Sequence, residues 1–316
     1  MHEECYPPLI VILGPTACGK SELALNLSLK IGGEIISADS RQIYKELLIG
    51  TAKPSAEDRL LVPHHLVDII SPGEEFTLYD FQKMAMDTIL DVYGRGKRPL
   101  LVGGTGLYIK AVTEGLVLPV TSPDYEYRSY LKELAAEKGT EYLHDMLSRV
   151  DREAFERIHH NDLRRIVRAL EVFKTGSVTM SGLQKNREPL PFKCMKFGIN
   201  WSRETLYRLI EERIDRMFSY GLVDEVLTLM EKGYSFESPP LDAVGYPETA
   251  DYLKGKSTMS EALRLIKRNT RHFSKRQMTW FRKDKDIVWF EPEQGISKED
   301  MVKEIVRSID GLPPLF

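Results

Sequence analysis

Cysteine is scarce in this chain. Three in 316 residues, Cys5, Cys18 and Cys194, are too few and too scattered for a disulfide framework or a zinc pattern. That usage fits a reducing compartment, so a cytoplasmic protein is expected. Long apolar runs are missing as well. Stretches such as Leu9–Leu13 fall far short of the roughly 20 residues that span a bilayer, and no membrane partner is expected. The opening Met1-His2-Glu3-Glu4-Cys5 has neither the basic nor the apolar region of a secretory signal. Positive charge is not in excess: 44 Lys and Arg against 47 Asp and Glu leave a net charge of −3. A global attractive field for nucleic acid is thereby excluded, and any polyanion must be held by a local basic surface. Internal repeats and low-complexity tracts are absent too, which excludes a repeat array. What is present, 42% hydrophobic and 29% charged residues, describes an ordinary folded protein of about two domains.

The N-terminal part alternates short apolar runs with longer helical stretches. Residues 8–13 read as a buried strand, 21–30 as a helix, 34–37 as a second strand, 79–93 as a helix and 99–102 as a third strand. Such alternation implies a parallel sheet with right-handed crossovers. The breaker-rich run Leu118-Pro119-Val120-Thr121-Ser122-Pro123 changes the texture, and helices dominate from Asp124 to Gly182. After Arg187-Glu188-Pro189-Leu190-Pro191 a strand returns over 194–200, followed by a helix with Ser202 as N-cap. A helical insertion over 119–193 is therefore expected within a core formed by 1–118 and 194–316.

Gly14-Pro15-Thr16-Ala17-Cys18-Gly19-Lys20-Ser21 fits G-x-x-x-x-G-K-[ST] between a buried strand and a helix. Backbone N–H groups of such a loop converge on phosphate oxygens, and the helix N-terminus adds positive potential. Lys20 brings a mobile charge and the Ser21 hydroxyl a ligand for magnesium. The fold class expected is α/β, a P-loop NTPase-like parallel sheet core flanked by helices, with an all-helical insertion domain. The motif does not say whose phosphate is bound. Strand C-termini face the ligand crevice in such sheets. That brings Asp39, in Ser37-Ala38-Asp39-Ser40-Arg41-Gln42, and the turn Gly103-Gly104-Thr105-Gly106-Leu107-Tyr108 to the loop's mouth. Asp39 can bind a metal or accept a proton there, although a turn aspartate would look the same. Val102 runs straight into glycine, so the strand-end acid usual in P-loop NTPases is missing.

Three arginine patterns follow. Arg213 falls on the apolar stripe Leu206, Ile210, Met217 of the helix after Ser202, where a guanidinium needs an anion, either a ligand phosphate or a structural carboxylate. In the insertion, Arg164, Arg165 and Arg168 cluster away from the apolar face of Leu163, Ile166, Val167 and Leu170, a pattern suited to phosphate contacts or simply to water. Between Glu261 and Lys285 nine basic residues face two acidic ones. Arg264, Arg268, Arg271, Lys275 and Arg282 share one helix face there, with Ile266, Phe273 and Trp280 expected to dock the opposite side. That stripe points to a polyanionic partner.

Together with Gly50-Thr51-Ala52-Lys53-Pro54, Ile36–Tyr44, Arg168-Ala169-Leu170-Glu171 and Lys275-Arg276-Gln277-Met278-Thr279-Trp280-Phe281-Arg282, these motifs resemble the bacterial tRNA dimethylallyltransferases, or tRNA isopentenyltransferases, over essentially the whole chain. The resemblance implies transfer of a dimethylallyl group from dimethylallyl diphosphate to N6 of the adenine at tRNA position 37, in the anticodon stem-loop. It implies that Gly14, Pro15, Thr16, Ala17, Cys18, Gly19, Lys20 and Ser21 hold the diphosphate, with Mg2+ on Ser21. Asp39 would take the N6 proton, and Thr105 and Arg213 would help hold the departing pyrophosphate. Asp39, Ser40, Arg41, Gln42, Thr105, Arg128, Arg164, Arg165, Ile166, Val167, Arg168, Lys275, Arg276 and Arg282 would contact tRNA. The chain departs from the family pattern at Cys18, where serine is more common, at Leu209, where many members have arginine, and at Pro247 in Gly245-Tyr246-Pro247-Glu248, where lysine is common. A monomer is expected. The competing readings are a P-loop nucleoside or small-molecule kinase and a nucleotide-switched RNA-binding protein.

Overall fold

The computed structural model describes residues 6–119, 123–237 and 239–310; Cys5 lies outside them. In chain order the elements begin with β1 (Leu9–Leu13), α1 (Lys20–Ile31), β2 (Gly33–Ala38), α2 (Ala56–Leu61), β3 (His64–His65), α3 (Leu78–Gly94), β4 (Arg98–Gly103) and α4 (Gly106–Thr113). Then come α5 (Tyr125–Lys138), α6 (Thr140–Val150), α7 (Arg152–Arg157), α8 (Leu163–Gly176) and α9 (Met180–Lys185). The chain closes with β5 (Cys194–Ile199), α10 (Arg203–Ser219), α11 (Leu222–Glu231), α12 (Tyr246–Leu253), α13 (Met259–Phe281), β6 (Ile287–Phe290) and α14 (Lys298–Asp310). Two compact units result, one of residues 1–109 with 191–316 and one of Lys110–Leu190. The division falls inside α4 at one end and at the Pro-rich break before Pro191 at the other.

In the first unit the strands form one six-stranded sheet, ordered β3-β2-β4-β1-β5-β6, with every pair parallel. β1 is central, its register pairing Leu13 with Gly103 of β4 and with Gly198 of β5. Its residues are all at most 1% exposed, as expected of a strand covered on both faces. Ile10 and Ile12 join a core cluster with Leu23 and Leu27 of α1, Ile210 and Ile214 of α10, Ile266 of α13 and Ile305 of α14. Leu9, Val11 and Leu13 point to the other face. This topology gathers the segments after β1, β2, β4 and β5 at the sheet's carboxyl edge.

Sequence signals set the helix starts. Ser202 caps α10 by accepting from the Thr205 N–H, and Thr77 and Thr258 open α3 and α13 with reciprocal capping boxes. The second unit is helical throughout α5–α9. Its core joins Leu131, Leu143, Leu147, Ile166, Val167 and Leu170. Two strands escaped the sequence reading, β3 and β6. Both are edge strands, two and four residues long; β3 is only His64-His65, and the apolar run Ile287-Val288-Trp289-Phe290 of β6 is brief and flanked by Asp286 and Glu291.

Candidate active site

The phosphate loop leaves β1 and ends where Gly19, at φ 94°, caps α1 in a conformation that favours glycine. Its eight residues do different work. Pro15 has no N–H, and its carbonyl accepts from the Lys20 ammonium at 3.2 Å and from the Cys18 N–H at 3.4 Å. The Thr16 N–H donates to Gln277 Oε1 at 2.9 Å. Ala17 and Gly19 N–H bond no described residue, and Lys20 and Ser21 open the first turn of a 12-residue helix, whose leading N–H groups have no intrahelical acceptor. The amides free to meet an anion are therefore those of 17, 19 and 21, the Lys20 N–H being directed at the Cys18 sulfur. Cys18 is buried at 3% exposure, and burial pushes its thiol pKa up, so it packs as a small protonated side chain. Its carbonyl accepts from the Trp201 indole N–H at 3.0 Å, which ties the loop to the segment after β5.

Beside this loop, the end of β4 holds the end of β2. Thr105 N–H donates to the Ala38 carbonyl at 3.2 Å, and the Thr105 hydroxyl oxygen accepts the Ser40 N–H at 3.1 Å. Asp39 sits between these two anchors, partly buried, its Oδ1 accepting the Arg41 N–H at 2.9 Å. Oδ2 makes no hydrogen bond to any described residue. Thr105 thus positions the aspartate's turn, whatever it also does for a ligand. Gln42 serves the scaffold: its amide spans from the Ser37 hydroxyl to the carbonyls of Thr51 and Ala52. Arg41 pairs with Asp242 at 2.8 Å and remains partly exposed.

Arg213 lies on α10 with Asp39 and Cys18 as its electrostatic neighbours. Burial pulls its pKa below the ordinary arginine value, the carboxylate of Asp39 pulling the other way. It forms no ion pair or hydrogen bond with any described residue. Of the two readings open from the sequence, the structural-carboxylate partner is therefore not found.

The basic helix α13 docks through Ala262, Ile266, Ser274, Gln277 and Phe281. The expected docking stripe fails at its far end: Phe273 and Trp280 are 39% and 40% exposed. A seven-residue spacing slips about 20° per heptad around a straight helix, which carries these two to the rim of the buried face. Trp280 still covers Gly106 so closely that a Cβ there would fall 2.2 Å from the indole. Part of the basic stripe is used internally. Arg271 pairs with Glu211 at 3.2 Å and Lys267 with Asp215 at 2.7 Å, both on α10. Lys275, Arg276 and Arg282 are exposed and make no ion pair among the described residues, the Arg276 guanidinium resting over the Phe273 ring.

In the helical unit the candidate RNA-contact residues divide sharply. Arg164 and Arg165 are exposed. Ile166 and Val167, at 0% and 5% exposure, belong to the unit's core, so their side chains seat α8 and do not reach a ligand. Arg128 and Arg168 converge on Glu171, which is wholly buried: Arg128 binds both carboxylate oxygens at 2.8 and 2.9 Å, and Arg168 binds one at 2.6 Å. The Glu171 pKa is lowered, the arginine hydrogen bonds outweighing burial, its largest opposing influence.

Three residues were missed in the sequence. Gln277 and Trp201 grip the phosphate loop from outside it. Glu225 accepts the N–H groups of Leu48, Ile49 and Gly50 and the Tyr246 hydroxyl, holding the Gly50–Pro54 motif in place. Only Gln277 gave a signal, a large polar residue on the helix face that carries Ala262, Ile266 and Phe281.

A magnesium ion at Ser21 fits the residues present. The hydroxyl is exposed at the α1 N-terminus and bonds no described residue. No cluster of His, Cys, Asp or Glu able to hold a metal occurs among the described residues, so such an ion would be held by the Ser21 hydroxyl together with phosphate oxygens and water. No helix of the described residues is long and apolar enough to cross a membrane.

Two family models match, isopentenyl transferase over residues 7–61 and IPP transferase over residues 42–284. The tRNA dimethylallyltransferase of Desulforudis audaxviator is 46% identical across 96% of this chain and 98% of its own length. That of Geobacter metallireducens is 49% identical across 92% and 94%. Among solved structures, the tRNA isopentenylpyrophosphate transferase of Bacillus halodurans superposes with a TM-score of 0.71 at 39% identity, covering 96% of both chains. A eukaryotic dimethylallyltransferase acting on tRNA superposes with a TM-score of 0.76 at 26% identity, over 90% of this chain and 74% of that one. With its phosphate loop, its parallel sheet and nearly its whole length shared with these proteins, the chain belongs to the IPP transferase family.

Proposed function

We infer that this chain transfers a dimethylallyl group from dimethylallyl diphosphate to the N6 amine of the adenine at position 37 of tRNA. The relatives named tRNA dimethylallyltransferase support prenyl transfer to tRNA. The finer reading is supported by one observation: an unpaired arginine, Arg213, has as its electrostatic neighbours Cys18 of the phosphate loop and Asp39, whose second carboxylate oxygen bonds no described residue.

Each half of the reaction uses one side of that arrangement. Adenine N6 is a poor nucleophile because its lone pair is delocalised into the ring. Asp39 Oδ2 accepts one N6 hydrogen, raises electron density on nitrogen and takes the proton as the new C–N bond forms; such assistance is typically worth about 10²–10⁴-fold. The allylic carbon needs little activation, so the larger barrier is departure of a multiply charged pyrophosphate. Arg213, the Lys20 ammonium and the amides of 17, 19 and 21 meet that charge as it develops. Magnesium on the Ser21 hydroxyl would neutralise part of it. The target base must leave its stack, at a few kcal/mol, least in a loop. Exposed Arg164, Arg165, Lys275, Arg276 and Arg282 supply phosphate contacts to offset this, in a protein that acts as a cytoplasmic monomer. The matched families and relatives lend the kinase and nucleotide-switch readings no support.

The test is Asp39→Ala. Transfer should fall by at least about 10²-fold while tRNA affinity stays near normal; near-normal turnover would remove Asp39 from the chemistry.

A further inference from the structure

Gln277 does something that neither the phosphate loop nor the Gly103–Gly106 turn does for itself. Its side chain is 8% exposed and reaches two segments at once. Oε1 accepts the Thr16 N–H at 2.9 Å, and Nε2 donates to the Gly104 carbonyl at 2.8 Å. The two partners lie 261 and 173 residues away in sequence. The fit is tight: a Cβ on Gly104 would fall 2.5 Å from Gln277 Nε2. One amide therefore fixes the distance between the loop that offers its free N–H groups and the turn whose Thr105 anchors the Asp39 segment. The same residue sits on α13 between Arg276 and Arg282, two of the exposed cations of that helix.

We propose that Gln277 is the positioning residue that sets the diphosphate-holding loop and the Asp39–Thr105 turn in register, so that the leaving group and the proton acceptor act on one reacting centre. This rests on the prenyl-transfer reading above. Both hydrogen bonds use a neutral amide, donor on one side and acceptor on the other, a pairing that no carboxylate or alkyl side chain of similar length reproduces. The proposal needs no contact between Gln277 and substrate. Its effect passes through the backbone at Thr16 and Gly104.

The experiment measures initial rates of prenyl transfer to a tRNA transcript, varying each substrate in turn, for wild type, Gln277→Glu, Gln277→Ala and Gly104→Ala. Circular dichroism and inorganic pyrophosphate binding by calorimetry are run on the same preparations. In Gln277→Glu the Thr16 acceptor survives and the Gly104 carbonyl faces a second acceptor. The expected result is a ten-fold or greater loss in kcat with KM for dimethylallyl diphosphate raised and KM for tRNA within two-fold of wild type. Gln277→Ala should do the same at least as strongly, and pyrophosphate affinity should fall in both. Gly104→Ala should be as damaging as Gln277→Glu in the wild-type background but clearly less so when added to Gln277→Ala, because the nearest atom it strikes has gone and only the Gly14 carbonyl, 3.3 Å away, remains close. A merely structural glutamine would lower folded content and move both KM values together, without that non-additivity. Parallel rises in both KM values, additive losses, or Gln277→Glu kinetics within two-fold of wild type would overturn the proposal. Should Gln277→Ala fail to fold, the isosteric Gln277→Glu decides alone. A wild-type enzyme that transfers no prenyl group would instead overturn the functional reading.

Discussion

Arginines in the two units of this protein are compensated in opposite ways. In the helical unit, Arg128 and Arg168 close on a buried carboxylate, Glu171, supplied by the chain itself. In the sheet unit, Arg213 is held on α10 near Asp39 and Cys18 with no protein anion bonded to it. A pair completed within the fold is architecture, because a cation withdrawn from water requires compensation. A cation left uncompensated lowers stability, and the favourable way to balance it is a ligand anion. The counter-ion inventory therefore separates a paired arginine from an unpaired one, which periodicity does not.

The largest expected effect comes from removing the uncompensated charge. Arg213→Met should cut the rate of prenyl transfer by about 10²–10³-fold, the usual loss when one preorganised group facing a developing anion is removed. The melting temperature should stay level or rise. A clear fall in melting temperature would make Arg213 structural and erase the contrast.

Next is Glu171→Gln, the mirror experiment. It strands two arginines and should destabilise the protein by about 2–4 kcal/mol, somewhat under the 3–5 typical of a fully buried broken pair because both arginines keep some contact with water. The wild-type effect should also depend on pH with a definite sign. A carboxyl whose folded pKa lies below its unfolded one stabilises the fold above the unfolded value, and that stability is lost as pH falls. Glu34 in the sheet unit offers a parallel. Hydrogen bonds from Arg95 first, then His65, overcome its burial and take its pKa from 4.5 to about 2. Stability should therefore fall as pH drops from 4.5 towards 2, and the Glu171→Gln protein should show a shallower acid limb than wild type. An unchanged limb would mean that Glu171 contributes no linkage.

Smallest is the comparison within one helix. Arg165→Ala should leave stability within about 0.5 kcal/mol of wild type and reduce the salt slope of tRNA binding by about one. Arg168→Ala should do the reverse, losing stability with little change in that slope. Equal salt responses from the two variants would place both on the RNA-binding surface.

Much of this was legible in the sequence, for physical reasons that differ by region. Buried parallel strands are continuous apolar runs, so β1, β2, β4 and β5 were visible, as were the helices opened by Ser202 and the phosphate loop. The loop, Asp39, Thr105 and Arg213 stand out as candidates in the sequence because each lies at a strand end or on an apolar stripe. What could not be read was partnership. Nothing in the spacing of Arg164, Arg165 and Arg168 says that the third turns back to Glu171, since that depends on Arg128 approaching from another helix. Nor does the motif Lys275–Arg282 reveal that its glutamine reaches Thr16 and Gly104. Gln42, expected at the RNA, spends its amide on Ser37, Thr51 and Ala52 for the same reason. Edge strand β3 was lost because two histidines carry no apolar signal, and β6 because its run of four apolar residues is short and closely flanked by charged ones.

The most direct test of the account is to incubate the purified protein with unmodified tRNA and dimethylallyl diphosphate, digest the tRNA, and identify its nucleosides by mass spectrometry, with ATP in place of the diphosphate as the parallel sample. The account predicts adenosine carrying one five-carbon unit on N6 at position 37, pyrophosphate released in equal amount, and no turnover of ATP. Unmodified tRNA together with steady ATP consumption would contradict it.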